Sequence, residues 1–337
     1  MKPRIALTMG DVAGIGPEIV ARSVADARLR DCCRPLVVGH PQVFERALKI
    51  AGIRDDIHVV TSLSEIDWSR AGLPCWNPSS IDAAAVPIGA IDARAGRAAY
   101  DYLVESTRAA LRGEIDAITT APLNKAALHA AGLDYPGHTE ILAEECGVRE
   151  FAMMLYLPPG EPIQGSSGLG VAHVTLHTSI RSVPGLLSTP HIRETIQLID
   201  GFLKRIKCPE PRIGVCALNP HAGEGGLFGD EEATLIEPAV QSARELGINA
   251  IGPIPADALL RRAVHGEFDG VAAMYHDQGH IALKLIGFER AVNVTLGLPI
   301  VRTSPSHGTA FDIAWQGTAR PGGMIEATRC AALLAAG

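Results

Sequence analysis

Short runs of β-branched and other apolar residues alternate along this chain with longer amphipathic or alanine-rich stretches. Such alternation is typical of βαβ units, in which helices connect parallel strands. The predicted strands are residues 4–8, 35–38, 117–120, 171–176, 213–217, 271–275 and 291–295. The predicted helices are residues 96–111, 139–145, 191–206 and 231–246. The sequence therefore predicts an α/β fold with a mostly parallel sheet.

The length of 337 residues exceeds the size at which a single hydrophobic core stops growing, so two domains are expected. A polar connection near residues 133–139 and the Gly-Leu-Pro stretch at 297–299 are the predicted crossings. They divide the chain into a discontinuous first domain, residues 1–132 plus 298–337, and a second domain, residues 133–297. Residues 68–87 are predicted to form a connection or hairpin, and residues 158–170 an exposed β-hairpin tip.

The overall charge excludes some classes of partner. A net charge of −7 gives no electrostatic footprint for nucleic acid or for an anionic membrane surface. No segment approaches the length of a membrane span, and the amino terminus lacks the features of a secretory signal. The seven cysteines show no C-x-x-C spacing, which argues against a disulfide scaffold and against a zinc knuckle. We therefore expect a cytoplasmic protein that acts on a small molecule.

The residues that most strongly indicate chemistry are three histidines, each following a predicted strand: His177, His221 and His276. Ligands of open α/β sheets bind outside the carboxyl ends of the strands, so these imidazoles are predicted to converge on one site. Three imidazoles with one open position describe a catalytic divalent metal. A single histidine at a strand end is more often a turn residue whose hydrogen bonds are satisfied than a metal ligand. For three histidines at the same topological position, the two interpretations are about equally favoured.

The sequence HDQGH at residues 276–280 imitates a helical zinc-binding pair. However, Gly279 is expected to weaken a helix there, and the glutamate of the H-E-x-x-H motif is absent. A metalloprotease is therefore rejected.

Charged and polar residues near these strands supply further candidates. Asp257 and Asp277 are candidates for proton transfer or for balancing the charge of a metal, and Lys125 could relay a proton through water. Three donors on the later segment would suit a carboxylate or phosphate: Lys284, Asn293 and Arg302.

Two turns precede predicted helices. Residues 10–18, GDVAGIGPE, form a tight strand-to-helix turn that matches neither a P-loop nor a Rossmann fingerprint, and a structural role is favoured over cofactor contact. In residues 136–140, PGHTE, Thr139 or a neighbour is expected to cap a helix whose first N–H groups attract anions. For the adjacent His138, an incidental position and a functional role are about equally favoured. Residues 303–314 are predicted to form a loop of small and polar residues, which could wrap a nucleotide with its backbone.

Together these blocks resemble the 4-hydroxythreonine-4-phosphate dehydrogenase family of vitamin B6 (pyridoxine) biosynthesis. The resemblance runs from residues 10–18 to 312–314, and its most specific blocks are GHTE at 137–140, LNPHAGE at 218–224, YHDQG at 275–279 and TLGLPIVRTS at 295–304. It implies a two-domain fold akin to isocitrate and isopropylmalate dehydrogenases, as a homodimer whose shared active site lies between domains and subunits.

The resemblance also assigns roles to residues. It implies that His177, His221 and His276 bind a divalent metal (Zn, Mg, Mn or Co), with one ligand from the partner subunit. Substrate-binding positions are His138, Thr139, Lys284, Asn293 and Arg302. The loop containing His307, Gly308, Thr309 and Asp312 would surround the adenosine of NAD, in preference to NADP.

The expected reaction is oxidation of a β-hydroxy acid followed by decarboxylation, with 4-hydroxythreonine 4-phosphate as the leading substrate. Val12, Ser306 and Trp315 depart from the family's usual proline, acidic residue and glycine, and His280 and Ile281 differ from the biosynthetic enzymes. These departures resemble a paralogous branch acting on D-erythronate or D-threonate 4-phosphate, or on a dihydrodiol of an aromatic carboxylate such as terephthalate. A phosphate acyltransferase and a non-catalytic binding protein remain open as other classes.

Overall fold

The computed structural model describes residues 2–337. Their strands are β1 (Arg4–Thr8), β2 (Arg34–Val38), β3 (Ile57–Val60), β4 (Leu73–Trp76), β5 (Ala117–Thr120), β6 (Ala152–Leu157), β7 (Leu169–His173), β8 (Ile213–Cys216), β9 (Ala250–Ile254), β10 (Gly270–Ala273), β11 (Val292–Leu296) and β12 (Arg302–Pro305). Their α-helices are α1 (Gly16–Val24), α2 (Ala27–Cys32), α3 (Pro41–Ala51), α4 (Ala93–Leu111), α5 (Lys125–Ala130), α6 (His138–Cys146), α7 (Val183–Leu186), α8 (Thr189–Arg205), α9 (Glu237–Glu245), α10 (Ala256–Val264), α11 (His276–Gly287) and α12 (Gly322–Ala336).

The chain divides into two compact units. Unit 1 comprises residues 1–149 and 298–336, and unit 2 essentially comprises residues 150–297. The first crossing thus lies at residues 149/150, later than the predicted 132/133. The reason is that α6 packs against α4 in unit 1, where Arg108 pairs with Glu145 at 3.0 Å.

The strands of unit 1 run in the order β3-β4-β2-β1-β5-β12 and all pair in parallel. The central strand β1 is an apolar run whose residues 5–8 are buried, because strands lie on both sides of it and helices α4 and α12 pack against it. The carboxyl ends of β1, β5 and β2 lead into loops at one edge of this sheet. The predicted mostly parallel α/β architecture is confirmed.

Unit 2 has a mixed sheet in the order β11-β6-β7-β10-β8-β9. The pairs β11–β6 and β6–β7 are antiparallel, whereas β7–β10, β10–β8 and β8–β9 are parallel. Its core includes Leu169, Val171, Phe268 and Leu283, each at most 1% exposed. The three central parallel strands, β7, β10 and β8, carry the histidines of interest.

Two predicted segments take different forms. Residues 68–87, predicted to form a connection or hairpin, contain β4, which pairs in parallel with β2 and β3. The segment is therefore not a hairpin, and it adds a strand to the sheet. Residues 158–170 do connect two antiparallel strands, β6 and β7, as a β-hairpin tip requires. No helix among residues 2–337 is long and apolar enough to cross a lipid bilayer.

Candidate active site

His177, His221 and His276 follow neighbouring strands of unit 2. His177 lies four residues after β7, His221 lies five residues after β8, and His276 begins α11 just after β10. Because β7, β10 and β8 are adjacent and parallel, their carboxyl ends lie at one edge of the sheet. The topology therefore delivers all three histidines to the same edge.

His177 and His276 lie close together. Their ring centroids are 5.6 Å apart, and His177 is exposed while the His276 side chain is 31% exposed. The Nδ1 atom of His276 lies 2.7 Å from Oδ1 of Asp277. A carboxylate can only accept, so Nδ1 carries the proton and Nε2 is left with a lone pair. This carboxylate–imidazole pairing orients metal-binding histidines in proteins, so these donors fit a divalent cation.

His221 lies in a loop of unusual backbone conformation. Six consecutive residues, 221–226, have positive φ angles, and three of them are not glycine: His221, Ala222 and Glu224. A left-handed conformation costs roughly 1–2 kcal/mol for a residue with a Cβ. Strained backbone persists only where its surroundings impose it, and it concentrates at functional sites. The loop therefore holds His221 in a conformation that a free chain would avoid.

Glu232 is the residue that organises this loop. Its buried carboxylate accepts hydrogen bonds from the backbone N–H groups of Leu218 and Asn219, at 2.9 and 2.7 Å, and from the Asn219 side-chain amide. A Cβ at Gly223 would lie 2.8 Å from the same carboxylate, so glycine is needed there. Sequence inspection missed Glu232, which sits in a π-helical turn at residues 232–236 just before α9.

The three histidines do not form a complete ligand set within one chain. Among residues 2–337, no three His, Cys, Asp or Glu side chains are arranged to hold a metal ion. His177 and His276 are brought together, and His221 is not part of a three-ligand group with them.

Gly279, which was expected to weaken a helix here, lies inside α11. Residues 276–287 are helical, so His276 and His280 stack with ring centroids 3.8 Å apart. A Cβ at residue 279 would lie 2.7 Å from Nε2 of His173, so glycine serves close packing of α11 on β7 rather than a turn.

His173 was not singled out from the sequence. It is buried at the end of β7, where the signal was one polar residue inside an apolar run. Its Nε2 lies 3.0 Å from Nδ1 of His280. Burial lowers the pKa of His173 to about 4 and the pKa of His280 further still, so both rings are neutral at physiological pH.

Gln278 fixes the beginning of α11. Its side-chain amide donates to the carbonyl of Ala217 and its oxygen accepts from the N–H of Met274, both at 2.7 Å. Since Ala217 follows β8 and Met274 follows β10, this one side chain ties together the strand ends that precede His221 and His276.

The other unit 2 candidates lie on several elements. Lys284 is half-buried on α11, and its charge contributes to the lowered pKa of His280. Asn293, on β11, has a buried Oδ1 with no hydrogen-bond partner among the described residues, which leaves an acceptor for a ligand. Asp257 is exposed in the first turn of α10, and the Asp277 side chain is 68% exposed beside His276.

Unit 1 carries a buried arginine at the first residue of β12. Arg302 is 2% exposed, and its Nη2 donates to Oγ1 of Thr120, 2.7 Å away at the end of β5. Burial lowers the pKa of Arg302 to about 10, partly opposed by Glu140, so the guanidinium stays charged at neutral pH. Such a desolvated cation binds a carboxylate or phosphate more strongly than an exposed one.

His138 and Thr139 open helix α6. Of the predicted caps, Thr139 or a neighbour, the neighbour Gly137 is the N-cap, without a side-chain hydrogen bond, and His138 and Thr139 lie inside the first turn. Burial, reinforced by the charge of Arg302, lowers the pKa of His138 well below its ordinary value. His138 is therefore a neutral hydrogen-bonding group close to a cation, as an anion-binding site requires. Lys125 is exposed at the start of α5, where Asn124 provides the cap by accepting from Ala127 N–H at 3.0 Å.

The predicted nucleotide loop packs on the first strand-to-helix turn. The carbonyl of Thr309 accepts from the N–H of Ile15 at 3.0 Å, and Gly14 has no room for a Cβ beside it. Gly308 and Asp312 are exposed on the loop, and His307 donates from Nδ1 to the Gly308 carbonyl at 3.1 Å. The favoured structural role of residues 10–18 is thus to support this loop.

Trp315 stands where the resemblance described above implies a glycine. Its φ of +63° is one that glycine adopts without strain. The buried Glu18 carboxylate accepts from the N–H groups of Trp315 and Gly317, at 2.6 and 2.7 Å, and the indole N–H donates to the Val12 carbonyl. The guanidinium of Arg46 lies 4.0 Å above the indole ring. These contacts hold a tryptophan in a conformation that it seldom adopts.

Comparison with known proteins places these features in a family. The model of the family described as pyridoxal phosphate biosynthetic protein PdxA matches residues 31–331. A 4-hydroxythreonine-4-phosphate dehydrogenase of Geobacter metallireducens is 46% identical over 99% of this chain and 95% of its own. A D-threonate 4-phosphate dehydrogenase of Pectobacterium atrosepticum is 42% identical over 99% of this chain and 100% of its own.

Solved structures agree with the sequence comparisons. A 4-hydroxythreonine-4-phosphate dehydrogenase from Burkholderia phymatum is 45% identical and superposes with a TM-score of 0.84, covering 99% of this chain and 98% of that chain. A β-decarboxylating dehydrogenase from Thermococcus kodakarensis is 16% identical, with a TM-score of 0.50 over 97% of this chain and 82% of that one. The second likeness concerns the fold alone, and it agrees with the predicted isocitrate dehydrogenase-like class.

Proposed function

This chain belongs to the family of the pyridoxal phosphate biosynthetic protein PdxA, and we propose that it is an NAD-dependent dehydrogenase of a four-carbon, phosphorylated β-hydroxy acid. The leading substrate is 4-hydroxythreonine 4-phosphate. D-Threonate 4-phosphate is the second candidate, because dehydrogenases with that name are nearly as similar to this chain as those named for 4-hydroxythreonine 4-phosphate. The observation that carries the proposal is the His177–His276 pair with Asp277 behind it, at the carboxyl edge of β7 and β10.

The reaction has two stages. In the first, the secondary alcohol loses a hydride from carbon and a proton from oxygen, giving a β-keto acid and NADH. In the second, the bond between the carboxyl group and the adjacent carbon breaks, CO₂ leaves, and the electron pair that stays behind is protonated. When bound, a divalent cation on His177, His221 and His276 would polarise the substrate oxygens, and NAD⁺ would accept the hydride.

The side chains of the protein have separate tasks. Arg302 and the neutral His138 bind an anionic group of the substrate, and the first N–H groups of α6 at Thr139 add partial positive charge. Asn293 and Lys284 bind a second polar group, for which the orphaned Asn293 Oδ1 supplies an acceptor. Asp277 keeps the Nε2 lone pair of His276 available. Asp257 and a Lys125-linked water are further candidates for removing the alcohol proton.

The cofactor is proposed to lie on the loop containing His307, Gly308, Thr309 and Asp312. Support comes from the anchoring of this loop. Ile15 donates to the carbonyl of Thr309, Glu18 accepts from the backbone just after the loop at Trp315 and Gly317, and Gly308 and Asp312 remain exposed to a ligand. A preformed loop loses less conformational entropy on binding than a mobile one.

We also propose that the active unit is a homodimer that shares its metal site, with His221 supplied by the partner subunit. One support is that His177 and His276 lie together without His221. Another is an apolar stripe formed by Ile281 and Leu285 on α11 and by Phe288 at its C-cap, which are 58%, 82% and 50% exposed. Their spacing of four and three residues puts them on one face of the helix that begins with His276. Exposed apolar stripes of this kind mark protein interfaces.

A turnover screen tests the function. The protein is incubated with NAD⁺ and a divalent cation against 4-hydroxythreonine 4-phosphate, D-threonate and D-erythronate 4-phosphates, and terephthalate dihydrodiol, and NADH and CO₂ are measured. NADH formation with equal CO₂ release from a 4-phosphate supports the proposal. Turnover that is unchanged by a chelator in metal-free protein contradicts the metal role. NADH formation from the dihydrodiol alone contradicts the proposed substrate class.

A further inference from the structure

The imidazole of His276 rests on the imidazole of His280. The two residues lie one helical turn apart on α11, their ring centroids are 3.8 Å apart, and their planes differ by 14°. His280 is 6% exposed, whereas the His276 side chain is 31% exposed. The exposed ring therefore has a buried, parallel ring beneath it.

Hydrogen bonds fix the orientation of the buried ring. The carbonyl of Met153 can only accept, so Nδ1 of His173, 3.1 Å away, carries a proton and donates it. In a neutral imidazole the other nitrogen is then an acceptor, so Nε2 of His173 accepts from Nδ1–H of His280 at 3.0 Å. One arrangement of protons satisfies this whole series of hydrogen bonds. It runs from the His280 ring to the backbone of β6, an interior strand.

The helix geometry is adapted to this contact. A Cβ at residue 279 would lie 2.7 Å from both His173 Nε2 and Val171 Cγ1. Real Cβ atoms essentially never approach other atoms so closely, so a larger residue would push α11 away from β7 and separate the two histidines. Gly279 is therefore required for the His173–His280 hydrogen bond.

The hydrogen bond from His276 to Asp277 restrains the ring only weakly. Asp277, which accepts from His276 Nδ1, has a side chain that is 68% exposed and belongs to the adjacent residue. Water competes with such an exposed carboxylate for the imidazole N–H, and the carboxylate moves with its own backbone. A ring that must keep one nitrogen aimed at a ligand gains more from a buried platform than from this exposed partner.

We propose that His280 is a positioning residue for His276: held through His173 to the backbone of Met153, it fixes the plane of the His276 ring so that its Nε2 is presented to the metal. This inference rests on the proposed function, because it assumes that His276 is a metal ligand. His280 itself does not contact the metal or the substrate. It restricts the His276 ring before the cation binds, so that less conformational entropy is lost on binding.

The test measures metal binding rather than turnover. Metal-free protein is titrated with Zn²⁺ in competition with a chromophoric chelator, for the wild type, His280→Ala, His173→Phe and a matched control. The control is His265→Ala, which removes an exposed imidazole at the C-terminus of α10 in the same unit. We expect His280→Ala and His173→Phe to weaken Zn²⁺ binding by about 10- to 100-fold, the range found for residues that support metal ligands. His265→Ala should bind Zn²⁺ like the wild type.

A second readout separates positioning from packing. The visible absorption spectrum of the Co²⁺-loaded protein reports ligand geometry, and we expect it to change in His280→Ala and His173→Phe at saturating Co²⁺. Thermal unfolding of each metal-free variant shows whether it folds. If His280→Ala does not fold, His173→Phe carries the test, because it keeps His280 and removes only its anchor.

The outcomes are distinct. Folded His280→Ala and His173→Phe variants with the Zn²⁺ affinity and Co²⁺ spectrum of the wild type overturn the positioning role and leave the proposed function standing. Wild-type protein that binds neither Zn²⁺ nor Co²⁺ overturns the proposed metal-dependent function itself, and the positioning role with it.

Discussion

The guanidinium of Arg302 donates a hydrogen bond to the hydroxyl of Thr120, 2.7 Å away, and both residues are almost completely buried. The two side chains stand on neighbouring strands, β12 and β5. Thr120 orients the fork of Arg302, and the fork is the part that would bind a phosphate or carboxylate.

Replacing Arg302 should therefore impair binding more than chemistry. Arg302→Lys keeps the charge but loses the fork, and we expect KM for the phosphorylated acid to rise about 10- to 100-fold, equivalent to roughly 1.4–3 kcal/mol, with a much smaller fall in kcat. Steady-state kinetics at saturating NAD⁺ measure both constants. Thr120→Val is the companion variant, with a smaller increase in KM. Equal losses in kcat and kcat/KM would instead mean that Arg302 acts in the transition state.

Mixing inactive variants tests the shared site. His221→Ala and His276→Ala should each be inactive alone. Refolded or subunit-exchanged together, they should form heterodimers in which one site has all three imidazoles, restoring about a quarter of wild-type activity by random pairing. The control mixture of His177→Ala and His276→Ala should stay inactive, because both changes affect the same half-site. Activity in the control mixture, or none in the test mixture, would show that the ligands are divided differently.

Glu18→Gln tests the anchoring of the nucleotide loop. The amide keeps one acceptor but brings an NH₂ group towards a backbone N–H of Trp315 or Gly317, so one buried donor loses its partner. We expect a loss of roughly 1–3 kcal/mol in the free energy of unfolding and a higher KM for NAD⁺. The KM for the hydroxy acid should change little. Glu114→Gln, which alters an exposed carboxylate paired with Arg112 in the same unit, is the control. A Glu18→Gln variant with unaltered NAD⁺ binding would separate this loop from the cofactor.

The buried carboxyl group of Asp11 gives a pH-dependent prediction. Burial raises its pKa from 3.8 to about 6, while a hydrogen bond from Ala13 N–H acts in the opposite direction. A carboxyl group whose pKa is higher in the folded state stabilises the fold below pH 4, and this contribution disappears as the pH rises through 6. Asp11→Asn should therefore be more stable than the wild type at pH 7.5, by on the order of 3 kcal/mol, with the difference becoming small near pH 4.

Asp26 provides the matched comparison for that experiment. It caps α2, and hydrogen bonds from Arg28 lower its pKa, so its contribution is present above its unfolded pKa and is lost as the pH falls. Chemical denaturation between pH 4 and pH 8 should show the advantage of Asp11→Asn over the wild type growing as the pH rises. The difference between Asp26→Asn and the wild type should stay nearly constant over this range, because the contribution of Asp26 is lost only below about pH 4. A difference between Asp11→Asn and the wild type that does not depend on pH would mean that the pKa of Asp11 is the same in the folded and unfolded protein.

The sequence predicted the regular parts of the fold best. β1 and β5 have the predicted bounds because their apolar runs end sharply at polar or glycine-rich loops. β4 was missed because Pro74 and the flanking serines and prolines obscured a four-residue strand. β7 ends three residues early, at His173, because the backbone leaves the sheet while the apolar run continues.

The site was less predictable than the strands. The positions of His177, His221 and His276 followed from strand ends, but their supports did not. Glu232 binds backbone N–H groups 13 and 14 residues before it, and Gln278 binds the Ala217 carbonyl 61 residues before it, so no local pattern encodes these contacts. Gly279 illustrates the same limit: propensity marks it as a helix breaker, and only tertiary packing against His173 explains its place inside α11.

The late position of β12 in the chain has a consequence for synthesis. β5 is an interior strand only because β12 pairs with it, and α12 also packs against β5. A ribosome that has released residues 1–149 has therefore produced a sheet with an open edge, and that edge stays available to other nascent chains until about 150 further residues have emerged. Carboxy-terminal truncation would make this exposure permanent, so aggregation during translation, rather than a soluble but inactive enzyme, is the expected fate of a prematurely terminated product.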